Sequence, residues 1–334
     1  LSGAQLGGAI AASGGAIRLK TLTFEGTAGG AAIRLADTIA TLEDVTIQGG
    51  AAAGADAAGG IDSRSTDLTI VGLEIEEISG TGMIVIGGSL AMEDAEVRDC
   101  DGTFAGGLIA SQLTDLALTH VRLANNRAGS LVGGAEIRLT QSVVLDSVVI
   151  EGNTAAFEVG GMYVSDVGDV AIRDSRIAEN DGGFTGGFEI WNADTVVVDR
   201  VEIRANGTLT PSIQGGFAFA NVPDLTVRDT RVEGQRASLL PAGGTALNVT
   251  GLFEDVVFRD NVSDGDVGGI GTGLSSVVLR RPVLEDNSGL LAGGAYCGSG
   301  DLTIESPQFT GNTPVPWGEG PDCLLTDAAE FATP

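Results

Sequence analysis

The sequence predicts an all-β solenoid, a right-handed parallel β-helix (β-solenoid) of about eleven coils, and three observations predict it. Glycine pairs recur at Gly106-Gly107, Gly133-Gly134, Gly160-Gly161, Gly186-Gly187, Gly215-Gly216, Gly243-Gly244, Gly268-Gly269 and Gly293-Gly294, with successive spacings of 27, 27, 26, 29, 28, 25 and 25 residues. A second column keeps the same phase: an asparagine follows a core apolar residue by three positions at Asn126, Asn153, Asn180, Asn206, Asn261, Asn287 and Asn312, with Cys100 and Gln235 in equivalent places. Between the columns lie short alternating runs such as Val143-Val144-Leu145-Asp146-Ser147-Val148-Val149-Ile150, rich in the β-branched residues of a half-buried sheet. A repeat of this length, with two or three short strands and no helical segment, cannot bury its apolar face alone. Successive copies must stack, each strand pairing with its counterpart in the next coil.

The repeat array spans residues 1–313, with irregular coils over 1–105, where Gly29-Gly30 and Gly59-Gly60 fit the period and Gly80-Thr81-Gly82 replaces the next pair. Residues 314–334 form a capping segment or tail. Pro314 and Pro316 cannot donate to a ladder, and Trp317 is placed to cover the last coil. Glycine pairs and asparagines are expected at the corners, where the chain must enter the left-handed region. Stacked asparagines can also pass amide hydrogen bonds from coil to coil, so their column reads as a structural ladder. Phe104, Phe157 and Phe184 read as a stacked aromatic column.

Composition narrows the function. Eighteen Lys and Arg against forty-five Asp and Glu give a net charge of −27. This speaks against nucleic acid, whose phosphates need clustered cations. No apolar run reaches the length of a membrane span, and no signal peptide is present, so the chain reads as an excised or processed piece. Of three cysteines, Cys297 and Cys323 lie one repeat apart, a candidate disulfide that would require an oxidising compartment; three free thiols are the alternative.

Gly133-Gly134-Ala135-Glu136-Ile137 and Phe258-Arg259-Asp260-Asn261 carry a Gly-Gly-Ala-aliphatic and Phe-x-x-Asn pattern that resembles the repeat of chlamydial polymorphic outer-membrane proteins and related bacterial β-helix surface proteins. The resemblance implies an extracellular or outer-surface location and an adhesion role. The expected partners are a host or neighbouring-cell surface glycan or protein, or further copies of the chain. Here mostly Leu, Ile or Val heads the Phe-x-x-Asn motif, and no barrel is present.

An enzyme was the contrasting expectation, since pectate lyases, polygalacturonases and phage tailspike glycosidases share the fold. The polygalacturonase motifs Asn-Thr-Asp, Asp-Asp, Gly-His-Gly and Arg-x-Lys are absent. The single histidine, His120, reads as a surface residue pointing the same way as Leu118 and Arg122, without a local nucleophile as partner. Acids beside arginines (Arg173-Asp174, Asp199-Arg200, Arg228-Asp229) read as charge pairing on an outer sheet face. Asp264-Gly265-Asp266 and Asp99-Cys100-Asp101-Gly102 do not continue into a calcium-binding loop. The sequence therefore predicts no catalytic residues, no cofactor and no metal, and a non-enzymatic structural or adhesion module; a self-assembling filament subunit and a carbohydrate-active lyase or hydrolase are the alternatives. Loops 208–214 and 237–242 are the expected places for specificity.

Overall fold

A computed structural model describes residues 5–6, 10–27, 29–52, 54, 57–207 and 212–327, the side chains of 5–6 and 320–327 excepted. The chain is all-β, a parallel β-solenoid of about 12 turns. It divides into two units, residues 1–168 and 169–334.

One coil of the first unit shows the local logic. Strand Ala135–Arg138 ends at Leu139, strand Ser142–Asp146 ends at Ser147, and strand Val149–Glu151 ends at Gly152. These three corner residues have φ of 52°, 57° and 64°. Each corner is thus a single left-handed residue, and the same three corners recur from coil to coil. Most corner residues are not glycine. Asp and Asn recur, as at Asp44, Asp94, Asn125 and Asp166, because their short polar side chains tolerate this region.

This corrects two sequence expectations. The ladder asparagines are not the left-handed residues; each follows one, as Asn126 follows Asn125 and Asn153 follows Gly152. The paired glycines of the regular coils also lack positive φ and serve a different need. A Cβ on Gly107 would lie 2.4 Å from the Gly134 carbonyl oxygen, and one on Gly134 would lie 2.3 Å from that of Gly161. Glycine is required there because consecutive coils approach too closely for a side chain.

The interior follows from alternation between corners. Val143, Leu145, Val148 and Ile150 are buried, and the register Leu145↔Leu118 and Ile150↔Leu123 stacks like on like. The irregular glycine spacing of the first coils disturbs pairing only locally: the register shifts between Ala58 and Ile61, where Gly59-Gly60 face a single Gly82, and beyond it Ala58–Glu76 and Thr81–Arg98 run as long parallel strands with Leu68↔Leu90 and Ile75↔Val97 paired. In the second unit Phe188, Phe217, Phe219, Phe253 and Phe258 form the core, with adjacent ring centroids 5.0–6.5 Å apart. Phe104, Phe157 and Phe184 are exposed instead, and no stacking among them is present.

Inside each unit runs the asparagine ladder. Asn153 Oδ1 accepts from Asn126 N at 2.9 Å and from Asn126 Nδ2 at 3.0 Å, while Asn153 Nδ2 donates to the Leu123 carbonyl at 2.9 Å. In the second unit the chain runs from Asn180 through Asn206, Gln235, Asn261 and Asn287 to Asn312. Gln235 and Cys100 join the column, Cys100 donating its backbone N–H to Asn126 Oδ1 at 3.2 Å. Burial pushes the Cys100 thiol up to about 12, so it is not a reactive thiolate.

The proline-rich stretch near residue 315 does not end the sheet. Pro316 accepts hydrogen bonds from Gly294 N and Ala295 N, and strand Trp317–Asp327 pairs in parallel with Ala295–Glu305. A proline that only accepts is compatible with the ladder. Cys297 is disulfide-bonded and Cys100 is a free, buried cysteine; the side chain of Cys323 lies outside the described residues.

Candidate active site

The strand that follows each glycine pair puts alternate residues into the core and onto the outer face. In Ala135–Arg138, Ala135 and Ile137 are core residues, which sends Glu136 and Arg138 outward. Parallel pairing places Ile109 on one side of Glu136 and Tyr163 on the other. Arg138 Nε lies 2.5 Å from Glu136 Oε1, and the Arg138 guanidinium sits 4.9 Å from the centroid of the Tyr163 ring.

Glu136 is only 8% exposed although it points away from the core. Burial raises its pKa above the ordinary carboxylate range; Arg138 opposes the shift, and the nearby Glu158 carboxylate adds to it. Glu158 comes from the loop that leads to the next glycine pair, and its neighbour Phe157 is 69% exposed. This loop is tied to the loop of the coil before, where Ser130 O accepts from Phe157 N at 3.1 Å, and that loop is tied in turn to Phe104 O through Leu131 N at 3.0 Å. The face thus combines a carboxyl group whose pKa is raised by burial, a second carboxylate and exposed aromatic rings. A proton donor beside a carboxylate is what acid-base chemistry on a glycosidic bond requires, and aromatic rings pack against the C–H faces of sugars.

A groove in the first unit, about 570 Å³, is lined by Asp44, Glu74, Asp94, Glu96, His120 and Arg122 among others. His120 Nδ1 is 3.4 Å from Asp94 Oδ1, and both side chains are exposed. Arg122 pairs with Glu151 and Glu96, and these bonds raise its pKa. His120 is a surface residue, but its alternation differs from expectation. It is a left-handed corner, φ 52°, so the strand kinks there and Leu118 points inward, 1% exposed. Its partner Asp94 comes from the coil before, out of reach of local spacing.

Arginines elsewhere bridge coils, as Arg200 to Asp174, Arg259 to Glu233 and Glu285, and Arg280 to Glu254 and Glu305. Among the described residues no group of three or more His, Cys, Asp or Glu is placed to hold a metal ion, and no helix is long and apolar enough to cross a membrane.

The family model described as "Right handed beta helix region" matches residues 133–327, and the chain belongs to that family. The match is to this broad family; the chlamydial one is not shown. No curated protein matches the sequence. A crystal structure of a double mutant of the periplasmic alginate epimerase AlgG is similar at 11% identity and TM-score 0.53, covering 93% of this chain and 77% of that one. The structure of AlgG itself gives 11% identity and TM-score 0.46, covering 94% and 77%.

The expectation of a non-enzymatic module is corrected by the first of these likenesses, since a structure that shares this fold over nearly the whole chain is that of an epimerase, an enzyme. The search for linear motifs had a physical blind spot. In a solenoid, neighbours on a face are about 26 residues apart in sequence, and Glu136, Glu158 and Tyr163 meet only through coil register. One signal was available. Glu136 and Tyr163 occupy the second strand position after successive glycine pairs, a column that changes residue type from coil to coil (Ile109, Glu136, Tyr163) while its flanks stay apolar.

Proposed function

We propose that this chain is an extracytoplasmic β-helix enzyme that hydrolyses a neutral polysaccharide, with Glu136 as the acid and Glu158 as the carboxylate that activates water. The observation that carries this reading is the buried, outward-facing Glu136, whose pKa burial raises and which lies near a second carboxylate, Glu158. In the reaction Glu136 gives its proton to the glycosidic oxygen as the C1–O bond breaks. Glu158 takes a proton from water as the water oxygen bonds to C1, and proton return through solvent restores both groups. Tyr163 and Phe157 supply ring faces for the sugar.

A neutral substrate fits the charge. The chain carries −27, which disfavours approach of a polyanion, and the one arginine at the face, Arg138, is already paired with Glu136. The AlgG title names alginate as that protein's substrate; at 11% identity only the fold is shared. The disulfide at Cys297 supports an oxidising, extracytoplasmic compartment, as does the periplasmic location named for AlgG.

The test is release of reducing ends from a panel of neutral polysaccharides, with alginate alongside. Glu136→Gln should lower turnover by about 10²–10⁴-fold. The alkaline limb of the pH profile should report Glu136 and lie above the ordinary carboxylate range, because activity is lost as this acid ionises. Wild-type turnover in Glu136→Gln would sink the assignment. Unsaturated or epimerised alginate products would redirect it to proton abstraction beside a carboxylate.

A further inference from the structure

We propose a second glycan site in the second unit, a non-catalytic groove that binds a neutral oligosaccharide through an external ladder of asparagine amides; it stands independently of the hydrolytic reading. The groove has a volume of about 810 Å³, and its lining includes Asn221, Asn248, Thr250, Leu274, Ser276 and Asp301. Asp301 is the single charged residue in that lining, in a chain of net charge −27. Amides and hydroxyls in the absence of ion pairs are the groups that recognise sugar hydroxyls.

The amides are chained and open at one end. Asn221 Nδ2 donates to Asn192 Oδ1 at 2.8 Å, and Asn248 Nδ2 donates to Asn221 Oδ1 at 2.8 Å. In the next coil the corner position holds Leu274, so the ladder of side-chain amides ends at Asn248, which lines the groove. Asn221 and Asn248 each carry a second side-chain N–H beyond the one used in the chain.

Leu274 is the second observation. It sits at a left-handed corner, φ 54°, and is 69% exposed. A left-handed conformation costs a leucine about 1–2 kcal/mol, and exposure returns no burial to offset it. Only its backbone N–H is fixed, donating to Ser299 Oγ at 2.9 Å. A strained, solvent-facing apolar residue beside a row of amides gives a sugar both surfaces it needs, a C–H face and hydrogen-bonding partners. Leu139 provides the contrast. It is at the equivalent corner in the first unit, φ 52° and 55% exposed, and does not line either groove.

The experiment uses the full chain carrying Glu136→Gln, so that turnover does not consume the ligand. Cellohexaose and mannohexaose are the probes, and a mannuronate hexamer is the charged control. Binding is read by calorimetry and by the side-chain amide NMR signals of Asn221 and Asn248. A neutral hexamer should shift those signals. Asn248→Gly and Leu274→Gly, both compatible with left-handed φ, should each weaken binding about tenfold, about 1.4 kcal/mol, while Leu139→Gly leaves it unchanged. The proposal is overturned if neither neutral hexamer shifts the two amides at millimolar concentration, if only the mannuronate binds, or if Leu139→Gly weakens binding as much as Leu274→Gly. Absence of hydrolysis by the parent chain with groove binding intact would count against the Glu136 reading alone, and hydrolysis without groove binding would count against the groove alone.

Discussion

The molecule builds asparagine ladders in two places, and they differ in nearly everything except residue type. The inner one passes through Asn126 and Asn153 in the first unit and from Asn180 to Asn312 in the second; its members short of the final Asn312 are fully buried. An inner amide binds main-chain groups of the coil before it and the amide of the coil after it, as Asn126 does with Cys100 N, the Val97 carbonyl and Asn153 Oδ1. The outer ladder, Asn192, Asn221 and Asn248, occupies left-handed corners, and its amides bond to one another in solvent. The inner asparagine follows the corner residue and turns into the core, whereas the outer asparagine is itself the corner and turns away. One residue's difference in phase therefore converts the same stacked amide from a structural brace into a surface that a ligand can reach.

The largest effect should come from breaking the inner ladder. Asn153→Ala leaves the Asn126 N–H, the Asn126 amide and the Leu123 carbonyl without their partner inside the coil. At about 1–3 kcal/mol for each buried unsatisfied group, the loss should be about 3 kcal/mol or more, read as a marked fall in the urea midpoint of the full chain. A loss below 1 kcal/mol would mean that water or relaxation replaces the amide, and the contrast between the ladders would collapse.

The outer ladder should respond to backbone preference in place of hydrogen bonding. Asn221→Ala puts a Cβ with no compensating side chain at φ 56° and should cost about 1 kcal/mol. Asn221→Gly removes the same two side-chain bonds but suits that φ, so its stability should stay within about 0.5 kcal/mol of the parent. Equal destabilisation by Ala and Gly in thermal melts would show that the outer amide chain, and not the corner conformation, stabilises the fold.

The solenoid was legible because its determinants are repeated. Glycine pairs, ladder asparagines and alternating strands each recur every coil, so single departures such as Gly80-Thr81-Gly82 did not hide the period. The reasons behind two of those columns were misplaced. Close approach of coils and left-handed strain both favour glycine, and only the distance from a Cβ on Gly134 to the carbonyl of Gly161 separates them. Expected loop specificity at 208–214 falls partly outside the described residues, and 237–242 lines neither groove. The candidate site was the least legible part. A lone Glu136 in a strand resembles any outward acid until the packed structure buries it and brings the Glu158 carboxylate near.

By itself, then, the amino-acid sequence determined the coil, its period, its parallel pairing and its acidic surface, because each follows from composition and local periodicity repeated many times. Tertiary structure alone decided which carboxyl group is desolvated and which side chains from different coils share a face. Those outcomes depend on burial and on register between residues about 26 positions apart, and neither is a property of a local stretch of chain.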